Sequence, residues 1–469
     1  MKNNYKRLIE QTYNFPLEGF DLQKGILHFN GIDLKKILDN YGTPLRISYL
    51  PKIREQIQKA RNLFNQAFKK YDYAGSYEFC YCTKCCHHSY VVKTALKERV
   101  SLETSSSYDI DLILKLYEHG ALSKNVTILH NGIKTEEYIE KIRLLQHQDF
   151  KHTITILDSV QELERITIQE LDKPIKIGLR ISIDQEPKAA YCTSRMGISK
   201  KELLELVKDK IQTNAFLELH MIHFYVDSGI NDNLYYWGEF KKALKLYTQI
   251  KQLVPSLQAI NIGGGFPIRN SLDFEYDYEY VVDEIVRKIK DVCVQVCVSE
   301  PDIYTEFGKY TVGESGAVIF RVIEQKQQKD TELWYIIDNS LMNTIPDSCS
   351  INEKFILLPI NKWENDYRSI HIGGISCDNS DYYNSEQLNQ KIYLPSFNDK
   401  SGEDPLYIGF FHTGAYQEAI SGYGGIKHCL IPSPRQIIVD KDEHGNLIDY
   451  LYRDEQSVSN MLSILGYDY

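Results

Sequence analysis

The 469-residue sequence lacks any run of about 18 apolar residues and any excess of positive charge. The missing apolar run predicts that no segment spans a membrane. The basic start, Met1–Arg7, is followed by no apolar stretch, which predicts the absence of a signal peptide. A net charge of −10 argues against nucleic acid or an anionic membrane as the main partner.

The ten cysteines also lack the regular spacing of a disulfide framework, so we expect reduced thiols and a cytoplasmic protein. Four of them cluster with two histidines, and the segment Glu78–Thr83 within this cluster is typical of a strand. Successive strand residues point to opposite faces, and no second ligand pair follows, so zinc is not favoured. The sequence therefore predicts packed or active-site thiols, and no metal site, at Cys80, Cys82, Cys85, Cys86, His87 and His88.

The length of the chain favours two domains, and 43% hydrophobic with 25% charged residues is typical of a globular protein. From about residue 79 to 310, short apolar strands alternate with longer amphipathic segments. This alternation predicts a parallel (β/α)8 barrel, with a doubly wound open sheet as the alternative. The predicted strands are Phe79–Thr83, Ser101–Ser105, Thr127–Asn131, Ile154–Ser159, Lys176–Ser182, His220–Phe224, Ala259–Gly264 and Ile303–Gly308.

After about residue 311 the pattern becomes β-rich, with turn sequences between and after the apolar runs, which is typical of an all-β domain. Gly25–Phe29 and Leu45–Leu50 are also strand-like and are predicted to complete this sheet. We therefore predict N-terminal strands in 1–50, a barrel in 51–310 and a β domain in 311–469. The β-domain strands are predicted at Ala317–Gln325, Leu333–Ile337, Phe355–Pro359, Ile370–Ile375, Leu406–Phe411 and Gln436–Asp440.

Functional residues of a (β/α)8 barrel lie at the carboxyl ends of its strands. Lys84 lies there, and we expect burial to lower the pKa of its amine and make it a nucleophile towards carbonyls. After another strand, Gly263, Gly264 and Gly265 offer backbone N–H groups to an anion such as phosphate. A lysine imine beside a phosphate loop predicts pyridoxal phosphate, with Glu306 pairing with the ring nitrogen. The other strand-end candidates are Glu103, Asn131, Asp158, Arg180 and His223.

Several short motifs follow one another along most of the chain. They are Tyr81–Lys84, Leu102–Ser106, Leu157–Ser159, Ser194–Ile198, Gly263–Gly265, Gly374–Asp381 and Gly414–Gln417. In this order they resemble the fold-type III, alanine-racemase-like decarboxylases of basic amino acids, which include ornithine, arginine, diaminopimelate and carboxynorspermidine decarboxylases. The Cys-Asp-x-x-Asp element at Cys377–Asp381 and Gly414-Ala415-Tyr416 are the specific parts, because a generic barrel needs neither.

The resemblance implies a role for each matching residue. Lys84 would hold pyridoxal phosphate as an imine, and Glu306 would pair with the ring nitrogen. Cys377 would deliver a proton to the carbanion after CO2 leaves, and Asp378, with Asp381 in the same element, would bind the cationic end of the substrate. Two-fold dimerisation would bring this element into the partner's active site. The phosphate would be bound by Gly263, Gly264, Gly265, Ser228 and Tyr416.

Three residues depart from the family pattern. Tyr225 stands where the family has the histidine that stacks on the cofactor ring, so stacking remains without imidazole charge. Asp227 replaces a glycine close to the phosphate, where a negative charge is unfavourable unless it points away. Lys309 replaces an arginine. The bidentate contact that arginine makes with phosphate is therefore lost, and lysine offers at most a single point charge in its place. These changes affect cofactor geometry more than cofactor use.

The distal site must select the substrate, and the single carboxylate of Asp378 suits a guanidinium or ammonium group. Together with the run Tyr407–Glu418, the Cys377-Asp378 pair most resembles biosynthetic arginine decarboxylases, which implies conversion of arginine to agmatine and CO2 in polyamine biosynthesis. Ornithine or lysine is the second choice, and diaminopimelate or carboxynorspermidine follows. A racemase leaves the Cys-Asp element unexplained. An inactive regulatory homologue is opposed by the retention of Lys84, Glu306, Cys377 and Asp378.

Overall fold

A computed structural model describes residues 17–168, 171, 173–184, 192–329, 332–383, 392–398, 403–422 and 424–467. In these ranges, no helix combines the length and the apolar character that crossing a lipid bilayer requires. The chain divides into two compact units. The barrel unit comprises Arg54–Pro267 and Tyr276–Thr311, and the β unit comprises residues 17–53, Ile268–Glu275 and 312–467.

The N-terminal part of the chain opens with a small antiparallel meander. The meander consists of β1 (Phe20–Gln23), β2 (Ile26–Phe29) and β3 (Ile32–Asp33). It is followed by α1 (Leu34–Tyr41), β4 (Leu45–Tyr49) and α2 (Leu50–Tyr71). Asn30 and Gly31, both at positive φ, form the two-residue turn that pairs β2 with β3. Asp33 then caps α1 by accepting a hydrogen bond from the backbone N–H of Lys36.

Eight parallel strands close into a barrel. They are β5 (Tyr77–Cys82), β6 (Ser101–Thr104), β7 (Ile128–His130), β8 (Thr153–Leu157), β9 (Ile175–Arg180), β10 (Leu217–His223), β11 (Ala259–Asn261) and β12 (Asp302–Glu306). Each strand pairs with the next in chain order, and β12 pairs with β5 to complete the ring. The predicted barrel and all eight of its strands are confirmed, with strand ends within three residues of those predicted.

Helices connect successive barrel strands, and capping side chains set the starting points of several of them. Thr135, Ser159 and Asn233 each accept a hydrogen bond from a backbone N–H in the first turn of the helix that follows. Such a cap contributes about 1 kcal/mol and fixes where the loop ends. The connecting helices are α3 (Ser89–Lys97), α4 (Ser107–Glu118), α5 (Glu136–His147), α6 (Val160–Thr167), α7 (Lys200–Leu206), α8 (Leu234–Leu253) and α9 (Tyr278–Gln295). The short helix α10 (Lys309–Val312) follows β12, the last barrel strand.

The barrel interior is filled by side chains. Gly178 in β9 lies among them, because a Cβ at this position would lie 2.5 Å from Cδ1 of Ile156 and 2.8 Å from Cγ of Met221. The interior is therefore a close-packed core, and the loops at the strand ends must supply any binding site. The buried cluster comprises Cys80, Leu129, Ile154, Ile156, Met221 and Ala259.

The β unit is built around a nine-stranded sheet to which β4 also belongs. The six strands predicted for this part of the chain are confirmed, and β17 and β20 are additional. Its remaining elements are β13 (Gly316–Gln328), β14 (Glu332–Ile337), α11 (Leu341–Thr344), α12 (Asp347–Ser350), β15 (Ile356–Pro359), β16 (Tyr367–Gly373), β17 (Ile392–Pro395), β18 (Tyr407–Phe411), α13 (Gln417–Ile420), β19 (Arg435–Lys441), β20 (Leu447–Arg453) and α14 (Val458–Ile464).

The two N-terminal strand segments reach this unit in different ways. β4 lies between β13 and β19 and pairs with both, so it completes the sheet. β2 pairs with β1 and β3 instead, because the Asn30-Gly31 turn closes the local meander first. Leu27 and Phe29 of β2 nevertheless pack in the same buried cluster as Leu45 and Ile47 of β4.

We expect Gly178→Val to lower the unfolding free energy by about 1–3 kcal/mol, because the added side chain must displace Ile156 and Met221. Gly238→Ala in α8 is the matched control, since its added Cβ meets no atom within 4 Å. The control is expected to be neutral or more stable by about 0.5–1 kcal/mol. Thermal unfolding followed by circular dichroism compares the variants. An unchanged midpoint for Gly178→Val would contradict a packed interior.

Candidate active site

Lys84 lies just beyond the carboxyl end of β5, in a 3-10 turn over Thr83–Cys85. Its Nζ lies 2.6 Å from Oε2 of Glu103, whose side chain is completely buried in β6. The pairing of Cys82 with Glu103 across β5 and β6 brings the two side chains together. The Lys84 side chain is 41% exposed, so its amine faces accessible space at the rim and not the packed interior.

The charge on Lys84 is set by its neighbours. Burial alone would lower the pKa of the Lys84 amine, but the surrounding acidic groups, Glu103 and Glu306 among them, raise this pKa well above its usual value. The expectation that burial lowers the pKa of Lys84 is therefore wrong. The amine is held as an ammonium ion, with the carboxylate of Glu103 at hydrogen-bond distance.

Glu306 ends β12, and two side-chain amides orient its carboxylate. Oε1 accepts hydrogen bonds from Nδ2 of Asn131 and from Nδ2 of Asn261, each at 2.7 Å. Oε2 makes no hydrogen bond to any residue in the described part of the chain, and Nε2 of His223 lies 3.7 Å from it. Glu306 therefore presents one unengaged carboxylate oxygen at the barrel rim.

Other buried polar atoms at these strand ends have no hydrogen-bond partner within the described ranges. They are Oε1 of Glu103, Oδ1 of Asn131 and both ring nitrogens of His223. Burial lowers the pKa of His223 well below its usual value, so its ring is neutral. A buried polar atom without a partner costs about 1–3 kcal/mol, and the usual explanation is an absent ligand or water. Their concentration at one rim is typical of a ligand site.

The triple-glycine loop is anchored at its first residue. The N–H of Gly263 donates to Oδ1 of Asn261 at 2.8 Å, and the carbonyl of Gly263 accepts from the N–H of Glu306 at 2.8 Å. Gly263 has a φ of +70°, in the left-handed region that favours glycine. Gly263 thus ties the loop to the end of β12, and its own N–H is already engaged.

The next two glycines leave their backbone N–H groups without a partner among the residues described. A Cβ on Gly264 would lie 2.4 Å from the carbonyl oxygen of Glu306, and one on Gly265 would lie 2.6 Å from Cα of Gly229. Both positions therefore require glycine. Ser228 precedes Gly229 and is exposed. Two free amides with a neighbouring hydroxyl are suited to holding an anion.

Tyr225 lies against the start of this loop, since a Cβ on Gly263 would lie 2.8 Å from its Cδ2. Burial, with a smaller effect from Asp227, raises the pKa of Tyr225 to about 12, so the phenol is neutral. The guanidinium carbon of Arg180 lies 5.7 Å from the centre of the Tyr225 ring, and Nη1 of Arg180 lies 3.8 Å from Oδ1 of Asp158. This cation–π contact holds the ring at the rim.

Lys134 and Asn261 were not predicted as site residues. Lys134 is completely buried, and its Nζ donates to the carbonyls of Gly132 and Ile156 and lies 3.6 Å from Oε2 of Glu162. Burial lowers the pKa of Lys134 to about 8. A polar residue inside the apolar run Ala259–Ile262 was the available signal for Asn261, whereas a single lysine in a loop gives none.

The Cys-Asp-x-x-Asp element lies in the β unit, after β16. The Cys377 thiol is exposed, and its Sγ lies 3.3 Å from Sγ of Cys429. A hydrogen bond with Cys429 raises the pKa of Cys377, so this thiol is protonated at neutral pH. Asp378 accepts a hydrogen bond from the backbone N–H of Ser380 at 2.7 Å, which lowers the pKa of Asp378. The element thus exposes a protonated thiol beside an ionised carboxylate.

Asp381 in the same element has a different environment. It is buried, its Oδ1 accepts from the N–H of Leu341 at 2.8 Å, and its Oδ2 accepts from the N–H of Ser376 at 3.2 Å. Both oxygens therefore stabilise the turn that carries Asp378. Tyr416, with a φ of +66°, immediately precedes α13 in the same unit.

The four cysteines of the N-terminal cluster, Cys80, Cys82, Cys85 and Cys86, are all buried, and their thiols are reduced. Cys82 Sγ donates to the carbonyl of Glu306 at 3.0 Å, so this thiol packs beneath the rim. Burial raises the pKa of Cys82 well above its usual value, which keeps it protonated. These side chains pack at the end of β5 and in the turn that carries Lys84.

Comparison with protein families gives a match to the pyridoxal-binding domain of pyridoxal-dependent decarboxylases over residues 52–313. A biosynthetic arginine decarboxylase from Prochlorococcus marinus strain AS9601 is 23% identical over 568 aligned positions, which cover 95% of this chain and 86% of the relative. A second, from Prochlorococcus marinus subsp. pastoris, is 21% identical and covers 93% and 85% of the two chains.

Solved structures share the fold. The biosynthetic arginine decarboxylase from Campylobacter jejuni has a TM-score of 0.79 at 22% identity, covering 98% of this chain and 90% of that one. Diaminopimelate decarboxylase from M. jannaschii has a TM-score of 0.75 at 18% identity, covering 95% and 97%. At these identities the likeness establishes the barrel and the sheet unit and says nothing about the substrate.

We expect Lys134→Met to lower the unfolding free energy by about 3–5 kcal/mol at pH 7, because Glu162 would remain a buried carboxylate without its cation. Lys201→Met is the matched control, since this side chain is 86% exposed, and it should change stability by less than about 0.5 kcal/mol. Urea unfolding at equilibrium measures both. A loss no larger than that of the control would exclude a structural role for Lys134.

The same pair of variants tests the charge of Lys134. Its pKa is about 8 in the folded chain against 10.5 as the ordinary value, so between these pH values the unfolded chain binds more protons. Stability of the wild type therefore rises with pH across this window, by at most about 1.4 kcal/mol per pH unit. Lys134→Met lacks this contribution, so the stability difference between wild type and variant should widen from pH 8 to pH 10.

Proposed function

This chain belongs to the pyridoxal-dependent decarboxylases, and from that premise we propose that it converts L-arginine to agmatine and CO2, a step of polyamine biosynthesis. The enzyme uses pyridoxal phosphate and acts on a basic amino acid. The observation that carries the choice of arginine is the partly exposed, ionised carboxylate of Asp378 directly beside the protonated thiol of Cys377. The names of the curated relatives support the same choice.

The barrel rim fits the cofactor in charge and in hydrogen bonding. The free amides of Gly264 and Gly265, with Ser228 beside them, suit a phosphate, and Tyr225 offers a neutral ring for stacking. Glu306 Oε2 is free to share a proton with a ring nitrogen. When bound, pyridoxal phosphate supplies an electron sink for the electron pair released as CO2 leaves.

Lys84 is the residue that would hold the cofactor covalently. Its ammonium must first lose a proton, and Oε2 of Glu103, 2.6 Å away, is the adjacent acceptor. The Lys84–Glu103 pair therefore acts as a nucleophile with its own base.

Cys377 and Asp378 would act on the substrate from the β unit. The protonated thiol of Cys377 is a suitable donor to Cα after CO2 has left. Asp378 would bind the guanidinium of arginine through charge-assisted hydrogen bonds. Both oxygens of Asp381 accept hydrogen bonds from backbone N–H groups, so Asp381 would hold Asp378 in position instead of binding substrate. Tyr416 would bind the phosphate, as its motif implies.

The enzyme would work as a two-fold dimer in which the Cys377–Asp381 element of one chain serves the barrel of its partner. In such an assembly neither chain alone holds a complete site. Shared sites of this kind also explain why the thiol and the carboxylate are exposed on an isolated chain.

The first test is CO2 release by the cofactor-loaded protein from arginine, ornithine, lysine, diaminopimelate and carboxynorspermidine in parallel. We expect the highest turnover with arginine, with agmatine as product. Lys84→Ala should reduce release by on the order of 10³-fold or more, and borohydride should fix the cofactor to the peptide that contains Lys84. Faster release from another of these substrates would overturn the choice of arginine.

A mixing experiment tests the shared site. Lys84→Ala and Cys377→Ser homodimers should each be nearly inactive, but a mixture allowed to exchange subunits should recover about one quarter of wild-type activity, because half of the dimers then carry one intact site. Exchange without any recovery would mean that Lys84 and Cys377 act within the same chain. Mixing either variant with its own copy is the control.

A further inference from the structure

Three metal-binding side chains, two of them adjacent in sequence and the third about 50 residues earlier, meet on the surface of the β unit. Cys377, His428 and Cys429 each offer a ligand atom, and these atoms lie within 4.8 Å of one another. The two Sγ atoms are 3.3 Å apart across a separation of 52 residues. Nothing comparable with three such ligands occurs elsewhere in the described ranges. Oδ2 of Asp378 lies 3.9 Å from Nε2 of His428, so a carboxylate adjoins the cluster.

Both segments that carry the ligands are tied to one short helix, α11. On one side, the N–H of Leu341 donates to Asp381 at the end of the Cys377 turn at 2.8 Å. On the other side, Nδ2 of Asn343 donates to the backbone carbonyl of His428 at 2.9 Å. The ligands are therefore held in register by hydrogen bonds that do not use the ligand side chains themselves, as a preorganised site requires.

The backbone at Cys429 is itself unusual. Cys429 and Leu430 have φ values of +56° and +53°, a left-handed conformation that non-glycine residues adopt at a cost. Two such residues in succession turn this segment sharply within the 3-10 turn His428–Leu430. In this conformation the Cys429 thiol faces the Cys377 thiol.

We propose that Cys377, Cys429 and His428 bind Zn²⁺ or a similar thiophilic divalent cation, with Asp378 or a water as the fourth ligand. Two thiolates and an imidazole are typical zinc ligands. Thiolates about 2.3 Å from a tetrahedral Zn²⁺ lie about 3.8 Å apart, so the thiols need to separate by only about half an ångström. Binding forms two Zn–S bonds and one Zn–N bond and releases the two thiol protons to solvent.

The consequence for turnover rests on the proposed function. A bound metal would hold Cys377 as a thiolate, its proton having been released to solvent, and would draw Asp378 towards His428. The enzyme would then lack both its proton donor and its carboxylate for the guanidinium group. Thiophilic cations are therefore expected to be reversible inhibitors, and this site differs from the cysteine cluster in the barrel, for which no metal was expected.

The test is Co²⁺ titration of the fully reduced, cofactor-loaded protein, because thiolate-bound Co²⁺ has a near-ultraviolet charge-transfer band. The cofactor-loaded protein without metal is the spectral reference. We expect one Co²⁺ per chain, displaced by Zn²⁺. Cys429→Ser should weaken binding by more than about 100-fold, which exceeds the usual loss of an outer-shell partner. Cys297→Ser, an exposed cysteine of the barrel unit, should bind as wild type does.

Turnover is then measured with and without Zn²⁺. Wild type should lose activity and recover it with a chelator, whereas the activity that Cys429→Ser shows without metal should resist the same Zn²⁺ concentration. A reduced protein whose thiols all react but that shows no cobalt–thiolate band would overturn the proposal, as would a band that persists in Cys429→Ser. The cobalt band needs no turnover, so an enzyme inactive on every substrate would refute the proposed function without deciding the metal site.

Discussion

Closure of the parallel barrel is the constraint on which the candidate site depends. Because β12 pairs back with β5, the carboxyl ends of all eight strands converge on one rim. Lys84, Glu103 and Glu306 meet there although the chain separates the last two by about 200 residues. The packed interior around Gly178 supplies the stability that allows several buried polar atoms at this rim to remain without a partner.

Much of this arrangement could be predicted from the sequence, because strand period and strand ends are local properties. The eight barrel strands and the positions of Lys84, Glu306 and the glycines at the rim followed from that pattern. The direction of the Lys84 pKa shift could not, since it depends on how closely the Glu103 carboxylate approaches. Lys134 could not be predicted for a similar reason, because its burial depends on carbonyls and a carboxylate that only the fold brings together.

The two acids of one short motif show how far packing can separate like residues. Asp378 is partly exposed, with a single backbone donor on Oδ1, whereas Asp381 three residues later is buried with donors on both oxygens. One of those donors, the N–H of Leu341, comes from 40 residues earlier in the chain. The sequence motif therefore identifies the Cys377–Asp381 element, but it does not show which acid is available to a ligand and which acid stabilises the loop.

The side chain of Asn261 joins two parts of the rim. Its oxygen holds the N–H of Gly263, and its nitrogen holds the carboxylate of Glu306. Rotation of this one amide therefore moves the anion loop and the carboxylate together. A molecule with a phosphate at one end and a basic nitrogen at the other would bind cooperatively, because binding of either end orders the protein group that contacts the other end. A fragment that carries only one end would lack this cooperativity, so its affinity would be lower than the contacts that it keeps would suggest.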